Sequence, residues 1–299
     1  MKLVAFAPSA ADPGDRRLGI LADDGIRELP GLPGDVRRLV EADVRPDAAA
    51  ASAPHALRDV RLLAPVPAPG KVICVGLNYR DHCREQGVDE PAYPMLFAKF
   101  ANAIANPGDA VVRPRATEKL DLECELAVVI GRRVSHVARD EALGAVYGFT
   151  ILNDLTMRDL QREDRQWLRA KGSDGFAPIG PAVVTRDELG DGSGLRMRSF
   201  VNGEPWQDSS TDQMIFDVPT LVAFASRTIT LEPGDLIATG TPAGVGHFQD
   251  PPRYLADGDL MRCEIEGIGA LENRVVDELP RVDDHDLAAG VDELLAARR

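Results

Sequence analysis

Short apolar runs that end in glycine recur along this chain, and they constrain its fold more than any other feature. Residues 72–76 and 127–131 are two such runs, and their length and composition are typical of strands buried on both faces. Residues 261–266 alternate apolar and charged side chains, which indicates a strand with one solvent-facing side. No segment repeats at a fixed period and no long βαβα alternation occurs, which disfavours a solenoid or a doubly wound sheet. We therefore predict a β-rich fold of the α+β class.

Helical spacing is confined to a few segments. Residues 155–168 are expected to form a helix that is charged along one exposed side. Residues 218–225 are expected to form a second helix, with Asp217 as its N-cap.

The chain is predicted to have three parts. Residues 1–66 form a small N-terminal α/β domain, with a strand–turn–strand pattern around residues 23–25. An alanine- and proline-rich stretch that starts at residues 48–54 links this domain to the rest. Residues 67–280 carry the strands described above and form the larger domain. Residues 281–299 form a C-terminal tail that we expect to be helical.

Charge and cysteine usage limit the partners. The sequence has 34 Lys and Arg against 48 Asp and Glu, a formal net charge of −14. Binding of nucleic acid or of an anionic membrane surface requires a basic face, so we expect neither partner. The four cysteines are far apart and form no zinc or disulfide pattern, so we expect them to pack in the core. No run approaches the ~20 apolar residues of a membrane span, and the first residues lack a signal-peptide pattern. These features favour a cytoplasmic protein.

Three carboxylates precede the apolar run at 127–131. Asp121, Glu123 and Glu125 alternate with apolar residues, so a strand would project all three from one face. Their mutual repulsion is compensated most simply by a divalent cation, and oxygen ligands favour Mg²⁺, Mn²⁺ or Ca²⁺. A solvent-facing acidic edge is the alternative. Asp154, at the end of the strand predicted over residues 148–152, is either a further oxygen ligand or a helix N-cap.

A histidine and a glutamate follow the first buried strand. His82 and Glu85 are three residues apart, so they share a face if the segment is helical. Such a pair can hold a water molecule and take its proton, because imidazole titrates near neutral pH and a carboxylate orients it. An exposed helical turn with an ordinary ion pair is the alternative.

Three further segments offer groups for an anion. Lys99 and Lys171 each stand beside small or apolar residues, and each is either a partner for negative charge or a surface lysine. Residues 239–246 are rich in glycine but lack both the P-loop ending and the dinucleotide-binding spacing. This loop is either a tight β-turn or a site where a backbone N–H or the Thr241 hydroxyl holds a small carboxylate.

In order and spacing, these segments resemble the fumarylacetoacetate hydrolase superfamily over about residues 70–278. The matching motifs are Asn78-Tyr79-x-x-His82-x-x-Glu85, Asp121-x-Glu123-x-Glu125-Leu126-Ala127, Asn153-Asp154-x-x-x-Arg158-Asp159-x-Gln161, Lys171-Gly172, Val201-Asn202-Gly203-Glu204 and Thr239-Gly240-Thr241-Pro242-x-Gly244-Val245-Gly246. The branch of fumarylacetoacetate hydrolase domain-containing proteins and acylpyruvases is the most similar, on the segments Phe97-Ala98-Lys99-Phe100, Gln166-Trp167-Leu168 and Gln213-Met214.

The resemblance implies a mixed β-roll catalytic domain behind a small N-terminal domain, usually in a homodimer. It implies Mg²⁺ or Mn²⁺ held by Glu123, Glu125 and Asp154. It implies three catalytic residues. His82 and Glu85 would belong to a lid over the substrate and activate water, and Lys171 would stabilise negative charge. It implies substrate contacts from Tyr79, Lys99, Arg158, Gln161 and Thr241.

The function implied first is a hydrolase that cleaves a C–C bond in acylpyruvate-like 1,3-diketo acids. A 2-oxo acid would chelate the cation, the reaction would pass through a metal-bound enolate, and the His–Glu pair would activate water. The alternative uses the same site for an isomerase, tautomerase or decarboxylase of 2-oxo diacids, of the oxaloacetate or 2-hydroxyhepta-2,4-diene-1,7-dioate type. In both cases the expected partner is a small anionic 2-oxo acid. A non-catalytic relative need not retain all of these site residues.

Overall fold

The computed structural model describes residues 1–9 and 14–279, in which strands are more abundant than helices. The strands are β1 Lys2–Pro8, β2 Arg17–Ala22, β3 Gly25–Glu28, β4 Pro54–His55, β5 Val60–Leu63, β6 Val72–Gly76, β7 Met95–Lys99, β8 Ile104–Ala105, β9 Ala110–Arg113, β10 Leu120–Asp121, β11 Cys124–Ile130, β12 Val146–Asn153, β13 Thr156–Met157, β14 Ala177–Thr185, β15 Arg196–Val201, β16 Glu204–Ser210, β17 Leu236–Ala238, β18 Leu260–Ile265 and β19 Gly269–Asp277. The α-helices are α1 Val36–Glu41, α2 Arg80–Gln86, α3 Arg139–Ala142, α4 Arg158–Glu163, α5 Leu168–Lys171, α6 Arg186–Leu189 and α7 Val218–Ser226. The predicted β-rich α+β class is confirmed.

Two mixed sheets organise these strands. The larger has twelve strands, in the order β4-β3-β2-β1-β14-β12-β11-β17-β6-β7, with β5 paired to β1 and β8 paired to β14. The smaller has five strands, in the order β16-β15-β18-β19-β9, and β10 pairs with β13 in a separate ladder. Most neighbours are antiparallel, whereas β6–β17, β8–β14 and β9–β19 are parallel.

The N-terminal strands join the larger sheet. The turn predicted around residues 23–25 lies between β2 and β3, which pair as a hairpin. Strand β1 pairs with β14 through Leu3 opposite Val183, so one sheet runs from the N-terminal segment into the rest of the chain. The proposed division at residue 66 stays a prediction, and the tail at 281–299 lies outside the described residues.

Strand β11 is buried along its whole length because both of its faces are covered. Leu126 and Val128 lie in a core that the larger sheet shares with the five-stranded sheet. Ala127 and Val129 face the opposite side and pack in a second core that includes residues of α1, such as Leu39. Fully burying each of the larger of these side chains contributes about 1.5–3 kcal/mol. The start of β11 is therefore a firmly held position.

Of the two helices predicted from the sequence, one is confirmed and the prediction of the other is wrong. Helix α7 spans Val218–Ser226, and the Asp217 carboxylate caps it by accepting the N–H of Thr220 at 3.0 Å. The continuous helix predicted over 155–168 is instead β13, α4 and α5. Pairing with β10 holds its first residues extended, and Arg165 adopts a positive φ of 58° between the two helices.

The cysteine prediction is confirmed, since Cys74, Cys83, Cys124 and Cys263 are all buried and free. In the part of the chain that the structure describes, no helix has the length and apolar composition needed to cross a bilayer.

Candidate active site and metal centre

Three carboxylates meet where two neighbouring strands of the larger sheet end. Strands β11 and β12 are antiparallel, with Cys124 opposite Asn153, and the N–H of Asp154 donates to the Glu123 carbonyl at 2.9 Å. This register places one oxygen from each of Glu123, Glu125 and Asp154 within 4.8 Å of the others, and all three residues are buried. The structure thus brings together the three predicted metal ligands.

Buried cations surround these acids. Lys171 Nζ lies 2.9 Å from Glu123 Oε2 and 2.8 Å from Asp154 Oδ2. Lys99 Nζ lies 2.6 Å from Asp154 Oδ1, and Arg158 Nη1 lies 2.7 Å from Glu123 Oε1. Burial opposes ionisation of Glu123, but the charges of Lys171 and Arg158 outweigh it and lower its pKa to about 2. Burial also opposes the charge of Lys171, and Asp154 and Glu123 outweigh it, so the pKa of Lys171 is raised.

Glu125 has a different environment. The Gly240 N–H donates to its Oε2 at 2.9 Å, and no ion pair among the described residues includes Glu125. Burial, followed by the charges of Asp154 and Glu123, raises the pKa of Glu125 well above its usual range. Gly240 has a φ of +97°, and a Cβ there would stand only 3.0 Å from the Val75 carbonyl oxygen. A divalent cation would compensate the charge of Glu125, so the three carboxylates fit such an ion.

Asp121 does not join this group. Strand β10 ends at Asp121 and β11 starts only at Cys124, so the expectation of one continuous strand face was wrong. The Asp121 carboxylate pairs with Arg158 at 2.8 Å. It also accepts the N–H groups of Gly246 and His247 at 2.9 and 3.0 Å. Asp121 therefore positions Arg158 and the glycine-rich loop.

Helix α2 carries the predicted His–Glu pair. His82 Nδ1 lies 2.8 Å from Glu85 Oε2, and the other Glu85 oxygen accepts the Gly244 N–H at 2.7 Å. An ionised Glu85 can only accept, so Nδ1 carries the proton and Nε2 is an acceptor. The Gln86 amide nitrogen lies 2.7 Å from that Nε2 and donates to it. The imidazole also packs edge-on against the Phe248 ring, with centroids 5.8 Å apart.

Glu123 and Glu125 of the carboxylate cluster and His82 of the His–Glu pair line one cavity of about 260 Å³, with Asp154 and Glu85 behind its wall. Of the predicted site residues, its wall includes His82, Glu123, Glu125, Arg158, Gln161, Lys171 and Thr241. Sequence reasoning did not assign a role to five other residues of this wall, Gln86, Arg162, Trp167, His247 and Phe248.

Two residues predicted to contact substrate are not brought to the cavity. Tyr79 is fully buried, and its hydroxyl lies 3.4 Å from Thr239 Oγ1. Lys99 Nζ is enclosed by Asp154 and by the carbonyls of Leu155 and Phe176. Both polar groups already have partners inside the protein. Tyr79 and Lys99 therefore support the residues around the cavity and do not reach into it.

Thr241 and Gln161 offer different groups to the cavity. The Thr241 hydroxyl donates to the Cys124 carbonyl at 3.0 Å and accepts from the Gln207 amide at 2.7 Å, so its proton is not available to a substrate carboxylate. Gln161 Oε1 accepts from Arg158 Nη1 at 3.1 Å, which leaves the Gln161 amide N–H groups as donors.

The overlooked residues had weak sequence signals. Gln86 and Arg162 stand four residues after His82 and Arg158, a spacing that places each pair on one helix face. His247 has no acidic partner at helical spacing beside a predicted strand end. Its Nδ1 instead lies 2.9 Å from the Tyr254 hydroxyl. Burial, followed by the charge of Arg158, lowers the pKa of His247.

Comparison with known proteins gives consistent results. Residues 71–276 match the model of the family described as fumarylacetoacetate (FAA) hydrolase C-terminal. The oxaloacetate tautomerase FAHD2A, mitochondrial, of Bos taurus is 48% identical over 220 residues, which are 73% of this chain and 70% of that protein. The oxaloacetate tautomerase fahd2, mitochondrial, of Xenopus laevis is 42% identical over 290 residues, which are 92% and 90% of the two chains.

A solved structure extends the similarity to the fold. The fumarylacetoacetate hydrolase from psychrophilic Exiguobacterium antarcticum superimposes with a TM-score of 0.83 and 39% sequence identity. The superposition covers 93% of this chain and all of that chain.

Proposed function

The chain belongs to the fumarylacetoacetate hydrolase family, in the branch of the domain-containing proteins, and we propose that this family enzyme interconverts the keto and enol forms of oxaloacetate. The observation that carries the proposal is a single cavity that has Glu123 and Glu125, clustered with the buried Asp154, on one wall and His82, oriented by Glu85, on another. The relatives named as oxaloacetate tautomerases favour this reaction over C–C bond cleavage.

The carboxylate cluster is the proposed metal site. Glu123, Glu125 and Asp154 would hold Mg²⁺ or Mn²⁺, which when bound supplies Lewis acidity toward the oxygens of a 2-oxo acid. Arg158 and Lys171 keep Glu123 ionised and fix its orientation. The raised pKa of Lys171 keeps its ammonium group protonated, so Lys171 stabilises negative charge and is not the base.

His82 is the proposed base. Its Nε2 takes a proton from C3, the electron pair of that C–H bond forms the C2–C3 double bond, and the π pair of the C2–O double bond moves to the 2-oxo oxygen. That oxygen takes a proton from solvent water, and the His82 imidazolium returns its proton to solvent. Glu85 holds Nδ1–H and stabilises the imidazolium that forms. The Gln86 amide has to leave Nε2 before this transfer, since it occupies the acceptor position.

Hydrolysis of acylpyruvates is the second candidate. The same His82 nitrogen can hold a water molecule and direct it to the C4 carbonyl of a 1,3-diketo acid, which breaks the C3–C4 bond and yields pyruvate and a carboxylic acid. The hydrolase name of the similar structure from Exiguobacterium antarcticum favours this reading. The Gln86 amide has to leave Nε2 in this reaction as well, so that contact does not separate the two reactions.

One experiment separates the two reactions. The purified protein with Mg²⁺ is given enol-enriched oxaloacetate or acetylpyruvate, and the enol absorbance and the formation of pyruvate are followed. We expect fast loss of oxaloacetate enol and little pyruvate from acetylpyruvate. His82→Ala should lower the tautomerisation rate by about 10²–10⁴-fold with unchanged Mg²⁺ affinity. Acetate and pyruvate formed from acetylpyruvate, without acceleration on oxaloacetate, would establish the hydrolase instead.

The cytoplasmic location and the homodimer remain proposals. The compartment in the names of the two vertebrate relatives is mitochondrial and applies to those proteins.

A further inference from the structure

The charges around the proposed metal site do not balance those of a dicarboxylate substrate. Three ion-paired carboxylates (Asp121, Glu123 and Asp154), the unpaired carboxylate of Glu125 and three cations (Lys99, Arg158 and Lys171) are buried together here. Their net charge is therefore −1, and a divalent cation would change it to +1. That charge matches one carboxylate of a dianion and leaves the second without a partner. Glu85, behind His82 on the facing side, enlarges the shortage of positive charge.

Arg162 is the cation of the cavity wall that remains available. It is exposed on α4 and lines the cavity, and none of the ion pairs between described residues includes it. Arg158 and Lys171, which line the same cavity, are already paired with carboxylates. His247 is buried enough that its pKa is lowered, so it adds no charge at neutral pH.

The helix sets where Arg162 can reach. Arg158 and Arg162 are four residues apart on α4, which separates them by about 6 Å along one face. Arg158 extends inward to Glu123 at 2.7 Å, so Arg162 stands one turn further along the same face. A four-carbon 2-oxo diacid that is anchored at the carboxylate cluster by its 2-oxo end extends its second carboxylate away from that anchor. A guanidinium group binds such a carboxylate through two parallel N–H···O bonds.

We propose that Arg162 is a specificity-determining residue that binds the distal carboxylate of a 2-oxo dicarboxylate. This inference rests on the proposed function and names the residue that selects dicarboxylates over the monoanionic acylpyruvates. It also explains how an acidic protein binds a dianion, since one unpaired arginine stands on the wall of the cavity.

The test compares two unreactive dianions that differ in where the second carboxylate lies. Oxalate places both carboxylates at the metal, whereas malate carries its second carboxylate at the distal position. Dissociation constants are measured by calorimetry at saturating Mg²⁺, together with kcat and KM for oxaloacetate. In Arg162→Gln we expect malate to bind about tenfold more weakly, oxalate to bind as in the wild type, and KM to rise about tenfold with little change in kcat. Arg162→Lys should restore part of the malate affinity.

Arg227→Gln is the matched control, because Arg227 is also exposed and absent from every ion pair of the described residues, and it does not line the cavity. Equal losses for oxalate and malate in Arg162→Gln, or malate affinity unchanged, would overturn the assignment of Arg162. A wild-type protein that binds malate through Arg162 but does not accelerate oxaloacetate tautomerisation would overturn the proposed function and leave the carboxylate subsite standing.

Discussion

The two walls of the cavity are built in opposite ways. On the strand side, Glu123 and Asp154 stand at the ends of β11 and β12, both are buried, and their cations lie 2.6–2.9 Å away. On the helix side, His82 and Glu85 belong to a seven-residue helix and are held by an amide, a backbone N–H and a ring contact. The Glu85 side chain keeps 15% of its surface exposed.

The difference lies in how many partners depend on each group. On the strand side Lys171 pairs with two acids and Arg158 pairs with two acids, so removing one cation gives the buried cluster one more net negative charge. On the helix side each hydrogen bond joins one pair of groups, and a lost partner is replaced by water at modest cost. The proposed function therefore predicts that the strand wall controls both stability and metal affinity, whereas the helix wall controls only the rate of the reaction.

The largest effect is expected from Lys99→Met. The substitution keeps the side-chain volume but removes the cation 2.6 Å from Asp154 Oδ1, in a region where both side chains have no exposed surface. Asp154 then keeps Lys171 as its remaining cation, the carbonyls of Leu155 and Phe176 lose a donor, and the buried cluster gains one net negative charge. We expect the free energy of unfolding to fall by about 3–5 kcal/mol. Urea denaturation of the metal-free protein measures this change.

The control for Lys99→Met is Arg196→Met. Arg196 forms an equally short ion pair with Asp208, at 2.6 Å, but both side chains are more than half exposed. An exposed pair contributes about 0–1 kcal/mol, so this variant should unfold close to the wild type. Similar losses in the two variants would show that burial of the cluster does not control its contribution to stability.

An intermediate effect, in the opposite direction, is expected from Glu125→Gln. Glu125 has no paired cation among the described residues and its pKa is raised by burial, so its removal relieves an unfavourable charge. The metal-free protein should be as stable as the wild type or more stable. The Mg²⁺ dissociation constant should rise at least about tenfold, or ~1.4 kcal/mol.

Calorimetry with Mg²⁺ and thermal unfolding in excess chelator measure these two quantities for Glu125→Gln. We therefore expect two kinds of residue on the strand wall. Lys99 stabilises the fold, whereas Glu125 binds the metal and lowers the stability of the metal-free protein. A destabilisation of the metal-free protein as large as that of Lys99→Met would contradict this distinction. An Mg²⁺ affinity of Glu125→Gln equal to that of the wild type would contradict it as well.

Local patterns predicted much of this site because they depend on fixed periods. The spacing of His82 and Glu85 required only a helical turn, and α2 supplies it. The three carboxylates can cluster only if two strands end at the same place, and the register of β11 with β12 provides this for Glu123, Glu125 and Asp154. The ordered motifs of the family added the expectation that these distant segments meet.

Contacts between distant segments were not predictable from the sequence. Nothing local shows that β10 is separated from β11, so Asp121 could not be distinguished from Glu123 and Glu125. Lys99 and Tyr79 match family motifs, yet their burial depends on strands 50 to 160 residues away. The helix predicted over 155–168 was interrupted by pairing with β10, a contact that hydrophobic periodicity does not report.

The smallest effect is expected from Gln86→Leu on the helix wall. The variant removes the amide that donates to His82 Nε2 at 2.7 Å and leaves the pair with Glu85 in place. Because a neutral hydrogen bond contributes about 1 kcal/mol, freeing the base should raise kcat/KM for oxaloacetate by about fivefold at most. Arg84→Leu on the same helix is the control, since Arg84 contacts Gln213 and does not line the cavity. A slower Gln86→Leu enzyme would show that the amide assists proton transfer, and the helix wall would then be as interdependent as the strand wall.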